Sequence, residues 1–119
     1  MRQRSWLETV LAHTEHFHAP VWKPHADVYR ASWGWLVKFD LAGIRREDVS
    51  LKIDGRYLTV RGTRRDSVCE QGCYHYHLEI NYSQFERTLE FPSDLDHTST
   101  LTEMRDGMLL VRILTENAS

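Results

Sequence analysis

Phe85-Glu86-Arg87-Thr88-Leu89-Glu90-Phe91-Pro92, followed by a polar bridge and then Asp106-Gly107-Met108-Leu109-Leu110-Val111, is the stretch that decides the fold. Phe85, Arg87, Leu89 and Phe91 are two residues apart in turn, so an extended chain points all four to one face. Arg87 therefore shares the apolar face, aimed at a core or an interface, where a cation is costly unless it is paired. Pro92 lacks the N–H that a ladder needs and stops the strand. Asp106-Gly107 is the dipeptide of a tight hairpin turn, and the apolar run behind it reads as a closing strand over 108–114.

The same period of two runs through the preceding sequence. Val37, Phe39 and Leu41 alternate with Leu36, Lys38 and Asp40, and Val49, Leu51 and Ile53 alternate with Ser50, Lys52 and Asp54. Asp54-Gly55-Arg56 then turns the chain into Leu58 and Val60, since Gly accepts the positive φ of a hairpin turn. Residues 74–81 and 84–91 are also strand-like, and 99–105 form a more polar strand. About seven short strands separated by regular turn signals predict an all-β protein, an antiparallel immunoglobulin-like β-sandwich.

Residues 1–23 differ from this pattern. Ser5-Trp6-Leu7-Glu8 reads as a capping box, with Trp6, Leu7, Val10 and Leu11 on one helical face, predicting a short amphipathic helical arm. The His-rich stretch to Pro20 is expected to be a tether. The expected organisation is thus an arm over 1–23, a sandwich over 24–114 and a short polar tail over 115–119.

A chain of 119 residues suits a single domain whose core gains from burial shared with a second subunit. Its net charge of −2, with both signs interspersed, offers no basic stripe for nucleic acid or an anionic membrane. No apolar run is long enough to span a bilayer, and the N-terminus lacks a signal-peptide core, so a cytoplasmic location is expected. Two cysteines, Cys69 and Cys73, are too few for a disulfide framework and fit a reducing compartment. No nucleophile elbow, phosphate loop or triad in recognisable context is present, so neither catalysis nor a cofactor is expected.

Several motifs in order resemble the α-crystallin domain of bacterial-type small heat-shock proteins. They are Pro24 with Asp27-Val28-Tyr29, Ala42-Gly43-Ile44-Arg45-Arg46-Glu47-Asp48-Val49, Leu58-x-Val60-x-Gly62, the Phe85 to Pro92 strand, and Asp106-Gly107-Met108-Leu109. Ala42 stands where the family more often has Pro, and Thr102 where it has Ala. The resemblance implies an ATP-independent chaperone that holds partly unfolded clients. It further implies a groove lined by Val49, Leu51 and Ile53 on one side and by Thr100, Thr102 and Met104 on the other. The second side is unusually polar, and the family's Ile-x-Ile tail has no counterpart after the last strand. Small assemblies, chiefly dimers, are therefore expected.

In this resemblance the strand over 74–81 crosses to a partner subunit, placing Tyr74, His75, Tyr76, His77, Leu78 and Arg87 at a dimer interface, with Arg87 meeting a carboxylate there. Client contacts are expected from the arm, at Trp6, Leu7, Val10, Leu11 and Phe17, and from the groove. One rival is an adaptor of the CS/p23 type docking a specific partner, which lacks the long loop seen here over 63–83. A second is a redox or metal sensor around Cys69, Cys73, His75 and His77, although their spacing only loosely describes a zinc site. The aromatic set Trp6, Trp22, Trp33, Trp35, Tyr57, Tyr74, Tyr76 and Tyr82 reads as core, interface or client contact rather than a stacking platform for bases or sugars.

Overall fold

The computed structural model describes residues 21–66 and 70–115. The arm residues Trp6, Leu7, Val10, Leu11 and Phe17, the thiol of Cys69 and the tail from Glu116 lie outside the described residues.

Seven strands are present among the described residues: β1 (Ala26–Ala31), β2 (Gly34–Asp40), β3 (Val49–Asp54), β4 (Tyr57–Thr63), β5 (Gln84–Glu90), β6 (Ser99–Arg105) and β7 (Met108–Leu114). They form two antiparallel sheets, ordered β1-β2-β7-β6 and β3-β4-β5. The alternation of apolar residues fixes the register. Val37 pairs with Val111 and Phe39 with Leu109, while Leu58 pairs with Leu89 across the other sheet. Their inward faces meet in one core that includes Val37, Phe39, Leu41, Leu58, Val60, Phe85, Val111 and Ile113. A slip of one residue would turn these side chains to solvent, so the pairing is strongly specified.

Two tight turns form as the sequence predicts. Arg105 pairs with Met108 around Asp106-Gly107, whose φ values of 53° and 79° are both positive, as a turn matched to the right-handed twist requires. Asp54 pairs with Tyr57 around Gly55-Arg56. Gly62 serves a different need. A Cβ there would lie 2.0 Å from the Asp48 carbonyl oxygen and 2.7 Å from the Phe85 ring, so only a hydrogen lets β4 approach both.

The strand predicted over 74–81 does not form a ladder in the single chain. Its alternation is real, but it pairs with no strand of either sheet in the single chain, and a segment without a neighbour has no backbone partners to make it a strand. The chain instead gains β1, which the sequence shows only as a short Asp27-Val28-Tyr29 motif ahead of β2.

Candidate functional site

Each sheet has two edges, and the edges meet in pairs along the flanks of the sandwich. On one flank β3 and β6 stand opposite each other; β1 and β5 border the other. The two flanks are finished differently.

Between β3 and β6 lies a groove of about 300 Å³ lined by Arg46, Val49, Ser50, Leu51, Thr100, Thr102, Glu103, Met104 and Leu109. Five of the six groove residues expected from the sequence, Val49, Leu51, Thr100, Thr102 and Met104, are brought together here. Ile53 is not in the lining; it packs on the core beside the β3–β4 turn, opposite Leu58. Thr100, Thr102 and Met104 pair with Ile113, Val111 and Leu109, so they extend the inward face of their sheet to its rim. The hydroxyls of Thr100 and Thr102 keep that rim polar, while Val49, Leu51 and Leu109 supply the apolar wall.

Charges frame the groove. Glu103 is bound by Arg105 at 2.8 Å and by Arg112 at 3.2 Å. The hydrogen bond from Arg105 is the largest influence holding the Glu103 carboxyl below its usual range, with Arg112 adding to it. At the β3 end, the single 3-10 turn Arg46–Asp48 leads into the strand. Arg65 donates to both oxygens of Asp48, at 3.0 and 3.2 Å, and Arg45 adds a longer contact of 3.4 Å. The Arg65 hydrogen bond is the main reason the Asp48 carboxyl also lies below the ordinary carboxylate range.

The β1/β5 flank is partly closed by the chain itself. Trp22 forms a parallel bridge to Phe85, with the Trp22 N–H donating to the Gln84 carbonyl and the Glu86 N–H donating to the Trp22 carbonyl. The indole ring lies 5.2 Å from the Phe85 ring, its Nε1–H donates to the Ser83 carbonyl, and the Arg64 guanidinium stacks over it at 4.4 Å. Arg87, inward-facing as its phase predicts and half-buried, donates from Nη1 to the Pro24 carbonyl at 2.8 Å. Its partner within the chain is thus a backbone oxygen of the segment just before β1. Sequence reasoning places Trp22 only among general core, interface or client aromatics. The signal for its role was the Pro24 that follows, which ends the tether and turns the chain into β1.

A long loop leaves and re-enters the sandwich at this flank. Its neck is held by the Arg64 N–H on the Ser83 carbonyl and by Arg64 Nη1 on the Asn81 carbonyl. Beyond the neck, residues 70–82 of the loop are open to solvent. Tyr74 and Tyr76 are 93% and 99% exposed, Leu78 and Ile80 are exposed as well, and His77 Nε2 contacts Glu79 at 2.6 Å. Cys73 is exposed with a free thiol. Among the described residues, no group of three or more His, Cys, Asp or Glu side chains is arranged to hold a metal ion, and no helix is long and apolar enough to cross a membrane.

The model of the Hsp20/alpha crystallin family matches residues 27–119. Among curated relatives, small heat shock protein C4 of Rickettsia felis is 27% identical over 82% of this chain and 60% of its own length. Small heat shock protein C2 of the same organism is 23% identical over 76% of this chain and 58% of its own length. The chain therefore spans about three fifths of the length of these two relatives. Among solved structures, heat shock protein 16.0 from Schizosaccharomyces pombe superposes with a TM-score of 0.71, covering 82% of this chain and 90% of that one at 23% identity. HspA from Xanthomonas axonopodis gives a TM-score of 0.68, covering 84% of this chain and all of that one, also at 23% identity. The two-sheet topology, the edge groove and a family match that runs from β1 through the closing strand converge: the chain belongs to the Hsp20/alpha crystallin family of small heat-shock proteins.

Proposed function

We propose that the protein is an ATP-independent holdase that binds extended, partly unfolded segments of other proteins in the groove between β3 and β6. The observation that carries this reading is the groove itself, an apolar wall of Val49, Leu51 and Leu109 beside the unpaired edges of two strands. An unfolded chain offers what both features lack, namely apolar side chains two residues apart and a free backbone to pair. Contacts in the micromolar range, about 8 kcal/mol, would delay aggregation and still release the client.

The exposed loop residues Tyr74, Tyr76 and Leu78, with His75 and His77 on the alternate phase, support strand exchange with a second copy of the chain. β1 is the natural acceptor, since its outer edge has no neighbour in the sheet. Arg87 lies on that flank with its Nη1 on a neutral carbonyl, which leaves its charge available to a partner carboxylate. The length of this loop favours exchange over an adaptor that docks one partner.

The test is thermal aggregation of citrate synthase followed by light scattering without ATP. Suppression near one subunit per client subunit is expected, together with weaker suppression by Leu51→Ser. Full aggregation in the presence of the folded protein would sink the holdase reading.

A further inference from the structure

The rim of the groove carries an imbalance of charge. Arg46 and Glu103 are the charged residues of its lining, and three carboxylates, Glu47, Asp48 and Glu103, lie on the segments that border it. Each acidic partner is already engaged. Asp48 is shared by Arg65 and Arg45, Glu47 contacts Arg45, and Glu103 is shared by Arg105 and Arg112. Arg46 is different. It lines the groove directly, is exposed, and among the described residues its guanidinium forms no ion pair.

We infer that this groove selects extended segments that carry a carboxylate beside their apolar side chains, with Arg46 as the residue that sets the preference. The inference rests on the groove reading above and specifies its ligand. An incoming strand would seat two apolar side chains, two residues apart in sequence, against Val49, Leu51 and Leu109. The side chain between them would point to the rim. A carboxylate there meets the unpaired guanidinium of Arg46, whereas an ammonium meets repulsion from it that Glu103, already held by two arginines, does not offset. The hydroxyls of Thr100 and Thr102 stand on the inward phase of β6 beside the same space and can donate to a carboxylate as well, which no wholly apolar rim would do. Charge at the rim thus discriminates among segments whose apolar residues are alike.

The experiment uses two fluorescein-labelled decapeptides that share a Val-x-Val centre and differ only in having Glu or Lys at the middle and flanking positions, titrated with the full chain and read by anisotropy. The Glu peptide should bind at least about fivefold tighter at low salt, the gap narrowing at high salt because rim charges are solvent-screened. Arg46→Glu, a change at an exposed residue, should abolish or reverse that preference. Equal affinities for the two peptides, or a preference for Glu that survives Arg46→Glu, would overturn the inference and leave the groove as a peptide site. If neither peptide binds, the groove reading fails, and the charge preference falls with it.

Discussion

The two flanks of this sandwich pose the same physical problem and meet it in opposite ways. Each flank exposes strand edges whose N–H and C=O groups need partners. Along β5 the chain covers the edge with its own backbone at Trp22, and Arg87 ties the segment down through the Pro24 carbonyl. Along β3 and β6 no described segment does so, and a groove is left between the walls. The difference teaches where to look for function in a fold of this kind. Packing finishes the β5 edge as structure, and between β3 and β6 a groove stays open.

Truncation should separate the flanks most clearly. Trp22→Ala removes the ring contact with Phe85, the donor to Ser83 and the surface on which Arg64 stacks, and is expected to cost about 3 kcal/mol. Leu51→Ala on the open flank empties a wall that already faces solvent, and should cost only about 1 kcal/mol. Urea denaturation followed by circular dichroism measures both. Equal costs would mean that the open flank is packed as tightly as the closed one, and the contrast would break.

Arg87→Ala comes next in size. A buried Arg facing a carboxylate would cost on the order of 3 kcal/mol to remove, because the partner charge would be stranded. In the single chain the partner is a neutral carbonyl on a half-buried site, and the expected loss is about 1.5 kcal/mol. Measuring the variant by urea denaturation at concentrations above and below subunit association sharpens the comparison. A loss that grows with association places Arg87 at the subunit interface; a loss that does not change with concentration confines it to the Pro24 contact.

How much of this was legible in the sequence depended on whether the determining partner was local. The 2-residue period marks β2, β3, β5 and β7, and Asp106-Gly107 marks its turn, because burial of one face and a positive φ leave local traces. Val49, Leu51, Thr100, Thr102 and Met104 could be placed on a shared groove only through the family resemblance; the structure brings them together from strands about fifty residues apart. Trp22 and Arg46 were harder. The role of the first comes from a bridge to a strand more than sixty positions away, and that of the second from carboxylates being occupied by other arginines, neither of which has a spacing rule. The segment 74–81 shows the converse case: its alternation is plain, yet alternation alone cannot supply the neighbour that makes a strand.

The smallest expected effect is an asymmetry toward acid. Among the described residues, two carboxylates are displaced below their ordinary values, Asp48 from 3.8 and Glu103 from 4.5; Glu103 lines the open groove, and Asp48 ends the turn that leads into β3. A depressed value in the folded state means that the charged form is favoured by folding. The stabilisation is therefore complete above those ordinary values, and it is lost as pH falls below them and through the folded values. For Asp48 the loss follows release of Arg65 and then Arg45; for Glu103 it follows release of Arg105 and Arg112. Because the arginine partners of these carboxylates reach solvent, the change should be modest and should shrink in high salt. Hydrogen exchange between pH 5 and pH 3, corrected for intrinsic rates, should show amides of β3 and β6 losing protection before those of β4 and β5. Asp48→Asn with Glu103→Gln should remove that difference. Uniform loss across both sheets would place the acid sensitivity elsewhere, and the open flank would no longer be distinguished by its charges.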